Sequence, residues 1–500
     1  MNQIARSFIF VALVVAILLA LHFLPKMSIG ETELRRVNVL SDILPEQLGG
    51  TDDLGFIPDV PEPPKPIVAV ATPAAPADSQ QTVSKKPVAD DGVHLQPTDT
   101  TGMGAAVAYT PTNDSVTAVA PVADHPEGVT PILDYSQGQP GGMYYFYQQL
   151  ARARQMGRPV RIAYYGDSFI EGDIFTQDLR ELLQDQFGGS GVGWVDCASQ
   201  VHGFRQSVSH SFSGITEYEI VKRPFSNANQ GIAQRYFTAS EGARITYKGG
   251  RARRHQNQWT KAIFYLRSDG GLKLTTTMNS DSTVVDTIVG APRLQAIECR
   301  DSVPMTSVSY TLRGIGSGTL FYGVALEPVN GVIVDNFSMR GSAGYTLSQI
   351  PEATLAQFAA LRPYDLIVIH FGLNVANSNQ SNYSGYTRNM GQAIDHLRQA
   401  YPQTSFLVVG MPDRDQRASN GLHTMKGVEA LVAYQQIMAS DHAVSFFNLF
   451  EAMGGRDSMK GLVEQGFANK DYTHINFKGG RHLARFLFDA IMAGYHSYGF

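Results

Sequence analysis

The sequence predicts an α/β protein whose parallel sheet is interrupted by an all-β insertion and preceded by an exported, membrane-reaching N-terminus. Three observations predict it. Val/Ile/Leu-rich runs of strand length alternate with amphipathic helical segments over residues 131–204 and 331–500. Between them, residues 205–330 carry short alternating stretches parted by Gly, Ser, Asn and Asp. Ahead of both, residues 1–130 hold one long apolar run and then a stretch rich in Pro, Ala, Thr and Val.

The bulk composition narrows the classes. Five hundred residues leave room for two or three domains. A charged fraction of 17%, with 48 Gly and 25 Pro, suits loops, strands and a linker better than a long helical array. A net charge of −5 gives no broad basic surface, which argues against nucleic acid as a partner. Cys197 and Cys299 are the two cysteines, too few for a disulfide-built scaffold or a thiolate zinc cluster. One bridge between them and two separate buried thiols both stay open.

The apolar run is Phe8 to Leu24, FIFVALVVAILLALHFL, preceded by Arg6. At 1.5 Å per residue, about 17 residues just reach across a bilayer core of roughly 30 Å. The following PKMSIGETEL lacks a small-x-small cleavage site, which favours an uncleaved signal anchor within residues 1–30 over a cleaved signal peptide. Either reading exports the rest. The expected location is the inner membrane, single-pass, with the bulk of the chain in the periplasm or another extracytoplasmic space. Lys26, Arg35 and Arg36 lie beyond the run, so charge sets the orientation only weakly. Residues 31–130 show no persistent helical or strand period and few aromatics, so they read as a disordered tether. A flexible coil of about 100 residues spans on the order of 55 Å. It suits a domain working away from the bilayer, and a passive spacer equally well.

In the ordered part, GGMYYFYQQLARARQ reads as a helix and VRIAYYGDS as a short strand, Val160 to Tyr165. An amphipathic helix, IFTQDLRELLQDQF, follows. Ser168 sits at the turn beyond the carboxyl end of the strand, where open α/β sheets place their ligands. Gly-Asp-Ser alone also suits a polar turn capping a helix. A second buried-strand run, DLIVIHFGLN (Asp365 to Asn374), ends in Gly372-Leu373-Asn374, and TSFLVVGMPD (Thr404 to Asp413) follows after another helix. An Asn carboxamide there supplies a neutral donor to an oxyanion, and a strand-ending turn uses the same residues. Near the C-terminus, Asp471-Tyr472-Thr473-His474 precedes a helix beginning near Lys478. An Asp three residues before a His can fix the imidazole tautomer and leave the other nitrogen free for a serine proton; an ordinary loop Asp and His is the plainer alternative.

Taken in order, Gly166-Asp167-Ser168, Gly341, Gly372-x-Asn374 and Asp471-x-x-His474 resemble the four signature blocks of the SGNH (GDSL-like) hydrolase family. The resemblance implies a three-layer α/β/α domain over 131–204 and 331–500. It also implies Ser168 as nucleophile, His474 as base and Asp471 as its orienter, with Ser168, Gly341 and Asn374 as oxyanion donors. In the second block, DNFSMRGSAGYTL, the family glycine is Gly341 or Gly344; Gly341 follows the strand GVIVDNF more closely. No metal or cofactor is implied, and there is no HExxH.

Within the insertion, ARITYKG, KAIFYLRS, LKLTTTM, STVVDTIV, SVSYTLRG and GTLFYGVAL predict a small β-sandwich. The layout of anchor, tether, catalytic block, β insertion and catalytic remainder resembles bacterial peptidoglycan O-acetylesterases, in which a carbohydrate-binding-like module is inserted in an SGNH domain. That implies an O-acetylated envelope glycan as substrate and the cytoplasmic membrane as attachment. Trp259, Tyr247, Tyr265 and the Arg251, Arg253, Arg254 cluster are candidates to grip a glycan, or else core aromatics and a solvated loop. An O-acetyltransferase with the same Ser–His–Asp set and a membrane acyltransferase partner is a rival reading. A non-enzymatic glycan-binding envelope protein is another.

Overall fold

The computed structural model describes residues 125–139, 141–419 and 421–500, with an isolated antiparallel pair, Ser28–Ile29 against Thr32–Glu33. The apolar run Phe8–Leu24 and nearly all of the 31–130 segment lie outside the described residues. Among the described residues no helix is long and apolar enough to cross a membrane.

The chain opens with β1 (Ile132–Asp134), α1 (Met143–Arg152), β2 (Val160–Gly166), a 3-10 turn (Ser168–Asp173) and α2 (Thr176–Phe187). The β-rich part follows: β3 (Gly193–Val195), β4 (Val208–Glu219), β5 (Arg235–Gly249), β6 (Trp259–Ser268), β7 (Leu272–Met278), β8 (Ser282–Ile288), β9 (Ala291–Met305), β10 (Ser307–Arg313) and β11 (Leu320–Glu327). The chain then re-enters the α/β part through β12 (Val332–Ser338), α3 (Glu352–Leu361), β13 (Leu366–His370), α4 (Ser384–Ala400) and β14 (Ser405–Val409). A hairpin, β15 (Asp415–Ala418) and β16 (Gly421–Thr424), precedes α5 (Val428–Asp441), β17 (Ser445–Phe447), α6 (Leu449–Ala452), α7 (Ser458–Glu464) and α8 (Phe477–Ser497).

The α/β sheet has the order β12-β2-β13-β14-β17-β1, parallel except for the antiparallel edge strand β1. Strands β2, β13, β14 and β17 are buried along their whole length, which is why they read as unbroken apolar runs. From β2 the chain crosses first to β12 on one side and later to β13 on the other. That reversal opens a crevice beyond the carboxyl ends of β2 and β13, where the turns after both strands meet. Right-handed crossovers place α2 and α4 on opposite faces, giving the three layers the sequence predicts.

The β-rich part corrects the sandwich expectation. Its strands form one continuous nine-stranded sheet, antiparallel at every pairing, rather than two separate sheets. The long β5 pairs with β4 and β10 and touches β11 through one pair, Phe237 with Phe321. Register shifts in β4 and β9 bend the sheet over a core that includes Ile245, Tyr247, Trp259, Phe264 and Tyr310. The sheet also begins earlier than residue 205, because Gly193–Val195 pairs with β11.

The two parts share a dry junction. Alternating residues of β6 serve both sides: Ala262, Phe264 and Leu266 enter the β-rich core, while Ile263 and Tyr265 join the α/β core. At its edge Glu327 is fully buried and receives Arg161 at 2.6 Å, Arg362 at 2.8 Å and Lys261 at 3.2 Å. Arg362, itself fully buried, also holds Asp335 at 2.7 Å. The charged hydrogen bonds outweigh desolvation and keep the Glu327 carboxyl well below the usual range.

This packing settles the aromatic candidates. Trp259, Tyr247 and Tyr265 are buried and offer no face to a sugar. Arg253 pairs with Asp178 at 2.6 Å, and Arg254 pairs with Asp185, so these arginines tie the β-rich part to α2. Arg251 is exposed. Both cysteines are free, Cys197 buried and Cys299 half-buried.

Candidate active site

The site assembles at the crevice from three turns. The first follows β2. Asp167 caps the 3-10 turn by accepting the Phe169 N–H at 3.0 Å, which fixes Ser168 just past the strand end. Asp167 is buried, and burial pushes its carboxyl up to about 6 against the amides of Phe169, Gly372 and Leu373. Those amides belong to the first and third turns, so one side chain joins both.

The second turn follows β12. The register of β12 with β2 sets Ser338 beside Gly166, and the Met339 N–H donates to the Gly166 carbonyl at 2.8 Å. Here the structure separates the two glycines. Gly344 is buried, and a side chain there would strike the Phe371 ring; its N–H donates to the Ser342 hydroxyl at 3.0 Å. Gly341 is exposed at φ 77°, with open space where a side chain would stand, and among the described residues its N–H has no protein acceptor. Gly341 is therefore the second-block glycine whose amide is free to bind.

The third turn follows β13 and carries Asn374, whose Nδ2 donates one hydrogen to the Ser342 carbonyl at 3.0 Å. Nδ2 carries a second N–H. Two residues absent from the sequence-based set hold this turn. Gln435 on α5 donates to the Phe371 carbonyl at 2.7 Å and accepts the Met411 N–H at 2.9 Å. Arg414 donates to the Leu373 carbonyl at 3.1 Å and lies within the field of Asp471. Neither sits in a motif; a helix glutamine and a loop arginine carry no signal until the fold brings them in.

The histidine arrives on the loop before α8, whose first amides are capped by Asn476. Tyr472 takes a left-handed conformation, φ 53°, uncommon for a bulky residue. That turn lets Asp471 Oδ1 accept the N–H groups of both Thr473 and His474 at 3.0 Å. Its Oδ2 lies 2.8 Å from His474 Nδ1. Partial burial raises the Asp471 carboxyl, but these hydrogen bonds overcome it and hold it at about 2. At the far side of the ring, Nε2 lies 3.0 Å from Ser168 Oγ. With Asp471 ionised, Nδ1 carries the proton and Nε2 accepts from the hydroxyl. All of the sequence-predicted residues thus gather at the carboxyl edge of β2, β12 and β13 or on the loop that meets it.

A solved structure of a peptidoglycan O-acetylesterase matches with a TM-score of 0.59 at 20% identity, covering 73% of this chain and 99% of that one. The fold is that of the SGNH hydrolases. A lipase/acylhydrolase from Enterococcus faecalis is 17% identical over 33% of this chain and 77% of that one, with a TM-score of 0.24. A family 29 carbohydrate-binding module is 10% identical over 27% of this chain and 90% of that one, with a TM-score of 0.18. Neither of these two is similar enough to bear on function. No protein-family description and no curated protein sequence matches the chain. Within the SGNH fold the serine turn stands where the sheet topology expects a ligand.

Proposed function

We propose that the chain is an extracytoplasmic serine esterase that removes O-acetyl groups from a cell-envelope glycan, peptidoglycan or another polysaccharide. The observation that carries the reading is the continuous hydrogen-bonded array Ser168–His474–Asp471. A serine hydroxyl is a poor nucleophile until a base takes its proton, and Nε2 of His474 is in reach to do so. Ser168 Oγ attacks the acyl carbon, the proton passes to His474, and the carbonyl oxygen becomes an oxyanion. The amides of Ser168 and Gly341 with Asn374 Nδ2 receive that charge. Collapse expels the sugar oxygen, which takes the proton from His474. Water, deprotonated by the same ring, then attacks the acyl-enzyme and releases acetate and free Ser168.

The glycan half of the reading rests on the fold shared with a peptidoglycan O-acetylesterase and on the apolar run Phe8–Leu24 followed by a Pro/Ala-rich stretch. On this reading residues 8–24 anchor the chain in the inner membrane and the next 100 or so let the esterase reach its polymer. The full-length protein should release acetate from O-acetylated peptidoglycan or a model acetyl ester, and Ser168→Ala should abolish the release. Turnover unchanged in that variant removes the assignment. Acetyl groups passing to a second sugar without free acetate would instead identify a transferase.

A further inference from the structure

A cavity of about 580 Å³ opens beside Gly341 and runs between the catalytic turns and the β-rich sheet. Gly172 and Gly341 form its catalytic wall, while Asp196, Glu217, Glu219 and Arg235 line the opposite side. Arg235 is shared among three carboxylates: Asp196 at 3.1 Å, Glu217 at 3.2 Å and Glu219 at 3.4 Å. Asp196 also accepts the Trp194 indole N–H, and Glu219 takes Lys222 at 2.6 Å. Glu217 has the least complete set of partners, and burial foremost pushes its carboxyl up to about 7. Near neutrality it therefore both donates and accepts hydrogen bonds.

At the mouth stands an aromatic platform. Phe204, 49% exposed, packs on Phe477 with ring centres 4.9 Å apart. Its ring lies so close to Gly172 that a side chain there would collide with it, at φ 62°. Phe477 follows His474 by three residues and Gly172 follows Ser168 by four, so the platform flanks the nucleophile on both segments.

We infer that this cavity is a glycan subsite taking the uncharged, hydroxyl-rich sugar unit next to the ester-bearing one, with Phe204 and Phe477 stacking on the chain at its mouth. The inference rests on the esterase reading for the position of the ester. Sugar hydroxyls supply the donors that the carboxylates lack and accept from the protonated acid, while the apolar face of a pyranose covers an aromatic ring. An anionic sugar meets three carboxylates around one guanidinium and is repelled.

The test uses the full-length Ser168→Ala protein and calorimetric titration with three tetrasaccharides. These are neutral N-acetylglucosamine tetramer, its cationic de-N-acetylated counterpart and anionic tetragalacturonate. The neutral tetramer should bind at least about tenfold more tightly than either charged one, and adding Glu217→Gln or Phe204→Ala should each weaken it by about tenfold. Phe204 is a surface side chain, so its variant tests the platform even if Glu217→Gln perturbs folding. Equal or tighter binding of a charged tetramer, no binding of the neutral one, or indifference to both variants overturns the subsite. Because no turnover is measured, a failure here is distinct from a failure to release acetate.

Discussion

Asp471 grips His474 at two points: its Oδ2 lies 2.8 Å from the ring Nδ1, and its Oδ1 accepts the histidine's own backbone N–H at 3.0 Å. The carboxylate thus sets the position of the loop and the tautomer of the ring together. Asp471→Asn keeps the size but can present an N–H to Nδ1, turning the ring toward the wrong tautomer. The expected result is a loss of kcat by about two to four orders of magnitude, with KM little changed. Acetate release at saturating ester measures it, and a loss under about threefold would contradict the tautomer role.

Asn374 offers a second readout. One amide hydrogen holds the Ser342 carbonyl and the other is available to an oxyanion. Asn374→Ala should cost about 100- to 1000-fold in kcat, the magnitude expected for one lost oxyanion donor. A change confined to KM would mean that Asn374 binds the ground state instead.

How much of this was legible in the chain depends on how local each signal is. The Val160–Gly166 strand, its serine turn and the Asp471–His474 spacing lie within short segments, and apolar runs marked the strands because parallel strands are covered on both faces. Gly341 against Gly344 was not decidable from spacing; the Phe371 ring and the donor left free at Gly341 decide it. Trp259, Tyr247 and Tyr265 looked like sugar platforms because aromatic residues fill sandwich cores and binding faces alike. Phe204, which is exposed, carried no periodic signal. Arg414, Gln435 and the β15–β16 hairpin belong to a stretch whose contacts are all long-range, so no local pattern announced them.

The buried junction predicts a stability effect separate from catalysis. Arg362 bridges Glu327 and Asp335 with no solvent access. Arg362→Met leaves those carboxylates short of a partner and should cost about 3–5 kcal/mol. Thermal unfolding should show a midpoint lower by roughly 10 °C. A shift under about 2 °C would mean that Arg161 and Lys261 neutralise the site alone.

A pH dependence follows from the hairpin beneath the histidine loop. Asp415 donates its backbone N–H to the Tyr472 carbonyl at 3.0 Å. Burial foremost, and then the neighbouring Asp413, push its carboxyl from 3.8 up to about 7. The folded state holds this proton more tightly than the unfolded chain does. The associated stability is complete below about pH 4 and lost as pH rises through 7. Unfolding midpoints should fall from pH 5 to pH 8 in the native protein, with a shallower fall in Asp415→Asn. Equal slopes in the two proteins would exclude this carboxyl as the source.

The most direct test of the whole account is covalent labelling by a fluorophosphonate, which needs an activated serine but no knowledge of the substrate. Peptide mass analysis should find one adduct, on Ser168, formed far more slowly in His474→Ala. An unlabelled Ser168, or labelling at a rate indifferent to the loss of His474, would contradict the claim that the imidazole 3.0 Å away activates this hydroxyl.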